Sequence, residues 1–290
     1  MSISRDISEK IDKNLRDTLM AIEDVSRVLK VPFLVVGATA RDLIFNYVFD
    51  LKTYRATKDL DVAVWVNNWE KYKQIETALI ASGGFAKDHR TPHRFRFGGT
   101  VLVDIIPFGG LENPPRKIFW PSTDGTTMLT YGFEEVYIFS VEVKISNNPD
   151  VLVRVATPAG LAVLKLISWK EDFPNRSKDA SDLYYIMNKY LDAGNQDRIF
   201  STDEDLISGG EVDYLIAGAR LLGRDMRTIC NETTKSVIEK ILREETSDVS
   251  ELNLVSDMVQ KSQFDKEESF QRARLMLLEL FNYFTNKKKN

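Results

Sequence analysis

The sequence predicts an α+β half followed by an all-helical half, with the change near residue 155. Three observations lead there. Short apolar runs bounded by glycine recur as far as "VLVRVAT" at 151–157, stretches of helical period separate them, and beyond residue 157 only helical periods continue. The predicted units are 1–155 and 156–290. With 290 residues, 43% hydrophobic and 28% charged, the chain is long enough to bury one large core or two modest ones.

Each element has its own signal. Ile7, Ile11, Leu15, Leu19, Ile22 and Val25 recur at helical spacing and predict an amphipathic helix over 7–30. Phe33 to Val36 has the length of a buried strand, and Gly37 ends it before a helix in "VVGATARDL". "LDVAVWV" is the next strand, followed by a helix in "NWEKYKQIETALIASGG" that stops at Gly83 and Gly84. "HRFRFGGTVLVDIIPF" alternates, turns on Gly-Gly and enters a buried strand, a hairpin with Phe95 and Phe97 inward. "EEVYIFSVEVKI" and "VLVRVAT" read as further strands. Thr157 as N-cap and Pro158 at the first helical position open a helix through "TPAGLAVLKLISWKED", and "SKDASDLYYIMNKYL" forms another.

Composition excludes several classes. No apolar run approaches the roughly 18–20 residues that span a membrane, and the polar start "MSISRDISEKIDKNLRD" lacks the apolar stretch of a signal peptide. A lone cysteine, Cys230, allows no internal disulfide and fits a reducing compartment, so a cytoplasmic protein is expected. His89 and His93 are the only histidines, which argues against a His/Cys zinc site and for a metal held by oxygen, such as magnesium or manganese. A net charge of −4 does not advertise a polyanionic partner, so any basic surface must be local. The terminal "NKKKN" reads as a solvated end.

The chemistry-bearing signal is "TKDLDVAVWV". Side chains alternate along a strand, so Asp59 and Asp61 share one face and Leu60 and Val62 the other. Two carboxylates so placed repel each other unless a divalent cation lies between them. Asp104, in the apolar run "VLVDIIPF", is a third carboxylate where burial demands a partner. That partner is either a metal shared with Asp59 and Asp61 or an arginine such as Arg94 or Arg96. Upstream, Gly37, Ala38 and Thr39 form a strand-to-helix turn whose backbone N–H groups, helix N-terminus and hydroxyl suit a phosphate.

An apolar strand, a glycine turn, a helix, Asp-x-Asp on the next strand and a later third carboxylate resemble the DNA polymerase β-like nucleotidyltransferase superfamily. The departure is Ala38, where that superfamily usually has Gly or Ser. Within it, Lys165 in "LAVLKLISW" and Arg176, Lys178, Asp179 and Asp182 in "NRSKDASDL" are similar to the later blocks of AbiEii-type nucleotidyltransferases, the toxin half of some toxin–antitoxin and abortive-infection pairs. The Arg41-Asp42 pair also resembles tRNA CCA-adding enzymes, whose downstream motifs are missing here.

The resemblance implies a nucleotidyltransferase-type mixed sheet flanked by helices. It further implies transfer of a nucleoside monophosphate from a triphosphate to a hydroxyl, with RNA such as tRNA as acceptor and an antitoxin as partner. It assigns Asp59, Asp61 and Asp104 as catalytic Mg²⁺ (or Mn²⁺) ligands. Gly37, Ala38, Thr39, Arg41, Lys165 and Lys178 become nucleotide-binding residues, and Asp179 and Asp182 orient them. The alternatives are an aminoglycoside-type small-molecule nucleotidyltransferase, with an acidic acceptor pocket, and a silent nucleotide-binding module.

Overall fold

The computed structural model describes residues 5–54, 59–121, 127–208, 213–247, 251–260 and 266–286, so the last four residues of "NKKKN" lie outside it. The chain divides into two compact units, Met1–Thr157 and Pro158–Asn290.

The first unit runs α1 (Lys13–Leu29), β1 (Phe33–Val36), α2 (Gly37–Arg41), β2 (Asp59–Trp65), α3 (Trp69–Ala81), β3 (Phe85–Lys87), β4 (Arg94–Phe97) and β5 (Val101–Phe108). It continues through β6 (Lys117–Phe119), β7 (Thr127–Leu129), α4 (Phe133–Ile138), β8 (Val141–Asn147) and β9 (Asp150–Val155). A π-helical stretch, Asp42–Val48, prolongs α2 without a break. Seven strands form one mixed sheet in the order β3-β4-β5-β2-β1-β9-β8, and β6 and β7 pair separately. At its centre β2 is antiparallel to β1 and parallel to β5, while β4 returns antiparallel on β5.

The alternation seen in the sequence decides which residues are buried. Leu60, Val62 and Val64 on β2, Val103 and Ile105 on β5, and Phe95 on β4 are almost fully buried. Leu19 and Ile22 of α1 and Ile75 and Leu79 of α3 extend this core, and the Tyr72 hydroxyl donates to the Ile105 carbonyl at 2.9 Å. Burying each such side chain contributes about 1.5–3 kcal/mol. The opposite face of β2 and β5 carries Asp59, Asp61 and Asp104, so one alternation separates core from candidate site.

The structure departs from expectation in two places. The first helix starts at Lys13, because Asp12 caps it by accepting from the N–H groups of Asn14 and Leu15. Before it, Ile7 N–H donates to the Lys144 carbonyl and Lys144 N–H to Arg5, both at 2.9 Å, so this segment lies along β8. Ile7 and Ile11 are still buried, on a different backbone. The expected strand in "EEVYIF" is instead helix α4, whose first turn holds Glu134 and Glu135, where acidic side chains complement the helix dipole. Strands β3, β6 and β7 have three residues each, too short to show a period.

The second unit contains α5 (Pro158–Glu171), α6 (Ser177–Lys189), α7 (Tyr214–Ile229), α8 (Glu232–Glu245), α9 (Asn253–Val259) and α10 (Lys266–Phe284). Arg198 donates twice to Asp225, at 2.7 and 2.9 Å, and once to Asp203 at 3.0 Å, tying the segment after α6 to α7. One close helix approach is made where α7 offers no side chain. A Cβ on Gly223 would stand 2.2 Å from the Leu280 carbonyl oxygen of α10. Gly223→Ala is therefore expected to lower the stability of this unit by at least about 1–3 kcal/mol, the cost of overpacking. Urea unfolding followed by circular dichroism measures it, and an unchanged midpoint would mean the two helices are not in this close approach.

Candidate active site

The strand register sets the site. Asp61 on β2 stands directly opposite Asp104 on β5, which in turn stands opposite Arg94 on β4. On its other side Asp61 faces Val36, the last residue of β1 before Gly37. One row across the sheet thus reads Arg94–Asp104–Asp61–Val36. The next row, two residues along, reads Arg96–Leu102–Asp59. Asp59 and Asp61 are half-buried and Asp104 is buried. The three carboxylates expected to converge do share one face.

Gly37 comes close to Asp61 in a way no other residue could. Its φ is +66°, and a Cβ there would lie 1.9 Å from Asp61 Oδ2. The Asp61 carboxylate fills the space where a side chain at position 37 would stand. The helical stretch that Gly37 begins has no side-chain cap from Val36, and the first N–H groups of a helix lack intrahelical acceptors. These are the groups that can meet a phosphate.

Two turn residues have other duties. Thr39 is buried and its hydroxyl donates to the Asp59 carbonyl at 2.7 Å, so it pins α2 to the start of β2 and its proton is not offered to a phosphate. Arg41 is fully buried. Its Nε and Nη2 donate to Asp42 Oδ1 at 2.9 and 2.6 Å, and its guanidinium lies 5.0 Å from the centre of the Tyr54 ring. In this arrangement Arg41 braces the helix. Ala38 is buried in the turn, and only its backbone is available to a ligand.

Arg94 changes the metal expectation. Its Nε and Nη2 donate to the two oxygens of Asp104, each at 2.8 Å, a bidentate pair. These hydrogen bonds raise the guanidinium pKa further; burial opposes them, and the charges of Asp104, Asp59 and Asp61 add to the rise. Both Asp104 oxygens are thereby engaged. Among the described residues no group of three His, Cys, Asp or Glu side chains is arranged to hold a metal ion. Asp59 and Asp61 together fit the simpler case, a magnesium ion bound by one or two carboxylates and the substrate's phosphates. Of the two partners the sequence offers Asp104, this structure shows the arginine.

His93 borders the cluster. Its Nε2 lies 4.0 Å from Asp104 Oδ2, its ring packs against Trp120, and its buried Nδ1 has no hydrogen-bond partner. Burial lowers its pKa, against the pull of Asp104 and with a further push from Arg94. Trp120 lies 27 residues along the chain, and nothing in the sequence signals that contact. His89 is exposed.

In the second unit, Lys165 is buried on α5 with its Nζ 2.7 Å from Asp179 Oδ1 and 2.8 Å from Asp182 Oδ2. Burial disfavours its charge, but the two carboxylates outweigh burial and raise its pKa. Arg176 donates to the other oxygen of Asp179. Asp179 and Asp182 therefore orient Lys165, and its ammonium is not open to a phosphate as expected. Lys178 is exposed in the first turn of α6.

The family described as nucleotidyl transferase AbiEii toxin, Type IV TA system, matches residues 26–205. The chain belongs to the AbiEii family. It is accordingly a nucleotidyltransferase, and the matched span contains every site residue named above. No curated protein matches the chain. Among solved structures it is similar to the antibiotic-resistance factor ANT(2'')-Ia in solution, with 14% identity over 67% of this chain and 98% of that one and a TM-score of 0.38. The crystal structure of ANT(2'')-Ia with adenylyl-2''-tobramycin gives 13% identity over 66% and 95%, at 0.38. The Thermotoga maritima CCA-adding enzyme complexed with tRNA gives 13% over 100% and 91%, at 0.29. The AbiEii match ends at residue 205, so α7 to α10 lie beyond it. No helix of the described residues is long and apolar enough to cross a membrane.

The AbiEii turn offers a direct test. Gly37→Ala is expected to drive the Asp61 carboxylate from its place, at a backbone cost of about 1–2 kcal/mol for a left-handed alanine. Triphosphate binding with magnesium should weaken at least about tenfold, equivalent to 1.4 kcal/mol, while circular dichroism shows a folded chain. Unchanged binding would separate the turn from the site.

Proposed function

We propose that the first unit of this AbiEii-family nucleotidyltransferase transfers a nucleoside monophosphate to a hydroxyl of RNA, acting as a toxin held in check by an antitoxin. The observation that carries this reading is the placement of Asp59 and Asp61 on one sheet face directly beside the uncapped turn at Gly37. Phosphoryl transfer needs little covalent chemistry from a protein. It needs positioning and charge neutralisation, and the residues here supply both.

In this reading the backbone N–H groups from Gly37 to Thr39 meet the β- and γ-phosphates. Asp59 and Asp61 would hold a magnesium or manganese ion that arrives with the triphosphate, and that ion would polarise the α-phosphoryl group. Arg94 keeps Asp104 fixed next to Asp61, and Thr39 ties α2 to the start of β2. The acceptor oxygen forms a bond to the α-phosphorus, the bond to the bridging oxygen of the β-phosphate breaks, pyrophosphate leaves, and the hydroxyl proton is released to solvent. Lys165 is assigned a structural part, neutralising two buried carboxylates in the second unit.

Label transfer tests the proposal. The protein is incubated with each α-labelled nucleoside triphosphate, magnesium and total cellular RNA, beside Asp59→Ala. The expected result is label on RNA, reduced at least about 10²–10³-fold in the variant, the scale on which losing one electrostatic stabiliser slows enzymes. Label on protein or on a small cationic acceptor, or equal transfer by the variant, would contradict it.

A further inference from the structure

The first unit's strand register also indicates from which side the acceptor comes. We infer that the RNA acceptor enters over β5 and β4, with Leu102 as its floor and Arg96 holding a backbone phosphate next to the reacting end. This inference rests on the proposed transfer chemistry and adds to it a direction, a surface and a residue.

The direction follows from in-line displacement. Attacking and leaving oxygens lie on opposite sides of the phosphorus. The Gly37 turn follows β1, on one side of β2, so the departing pyrophosphate lies toward β1. The acceptor must then approach from the other side of β2, which is occupied by β5 and, beyond it, β4. The row Asp59–Leu102–Arg96 runs this way across the sheet. Two strand spacings separate Asp59 from Arg96, roughly 10 Å at the backbone.

The chemistry of that row fits a nucleic-acid end. Leu102 is half-buried and apolar, a surface on which a sugar or base can lie. Arg96 is exposed on the same face as Arg94, but does not share its task, since Arg94 alone makes the bidentate pair with Asp104. Asp88 is an acidic group on which both arginines act. Its carboxylate accepts the N–H groups of Arg90 and Thr91, at 2.8 and 3.0 Å, and only feels the charges of Arg94 and Arg96 from a distance. A cationic small-molecule acceptor would call for carboxylates on this approach. On this approach the one carboxylate of β5, Asp104, is already paired with Arg94, and β4 adds a further arginine, Arg96.

The full chain and two readouts test this. Binding of a 5′-labelled, 3′-hydroxyl oligoribonucleotide is followed by fluorescence anisotropy over a salt series, and transfer is followed with an α-labelled triphosphate on the same RNA. Arg96→Glu is expected to weaken RNA binding at least about tenfold and raise KM for RNA while leaving magnesium–triphosphate affinity unchanged. Arg96→Gln should lower the slope of log affinity against log salt by about 0.7, one single-strand phosphate contact. Arg96→Lys should recover most of the affinity, and Lys73→Glu, an equal charge change at an exposed position on α3, should bind RNA like the wild type. RNA binding by Arg96→Glu within twofold of wild type, or no RNA binding by the wild type, would overturn the inference. Failure of the transfer reading looks different: no label moves in the wild type, or Asp59→Ala moves it equally well, while RNA binding still decides the role of Arg96.

Discussion

Mutual repulsion of three carboxylates on one face of a sheet is the constraint around which the first unit is arranged. Directly opposed like charges destabilise a sheet pair, yet Asp61 and Asp104 are direct partners on β2 and β5. The fold answers in two ways. Arg94, the next residue in that row, binds both oxygens of Asp104. Asp61 is set against the start of a helix at a point where only glycine leaves room, and the positive end of the helix dipole lies there. The four formal charges of Asp59, Asp61, Asp104 and Arg94 still sum to a negative site, the complement of a divalent cation carried by a triphosphate.

The remaining architecture holds this arrangement in place. The opposite side chains of the same strands, Leu60, Val62, Val103 and Ile105, are fully buried. Because the side-chain period of a strand is two, a slip of one residue would bury the carboxylates and expose that core, so hydrophobic burial fixes the register of the charged residues. Thr39 then links α2 to the Asp59 carbonyl, tying the phosphate-facing turn to the strand that bears the carboxylates. The buried Arg41 braces the same helix through Asp42.

The parts of the fold and site that were legible in the sequence are those governed by local period. Alternation in "LDVAVWV" and "VLVDIIPF" places the carboxylates on one face, and Gly37 after an apolar strand marks the turn. What stayed hidden depends on partners distant in the chain or on competition for one group. Nothing local says that the Thr39 hydroxyl goes to Asp59 rather than to a ligand, or that Lys165, for which Asp179 and Asp182 are expected as orienting partners, is buried together with them. The arginine reading of Asp104 was one of two the sequence left open, and cross-strand register, invisible in a single strand, favoured it. "EEVYIF" has strand-like composition, but two glutamates in a first turn made it a helix. Ile7 and Ile11 satisfied a helical spacing while the backbone before Asp12 ran along β8.

If Asp59 and Asp61 act together, they hold a divalent ion with a triphosphate. Isothermal titration of the wild-type chain with a non-hydrolysable triphosphate, with and without magnesium, tests it most directly when repeated on Asp61→Asn. The expected result is magnesium-dependent binding that the amide variant loses, with residual metal-free binding alike in both proteins. Equal magnesium-dependent affinity in Asp61→Asn would contradict it, and would place the ion away from these carboxylates.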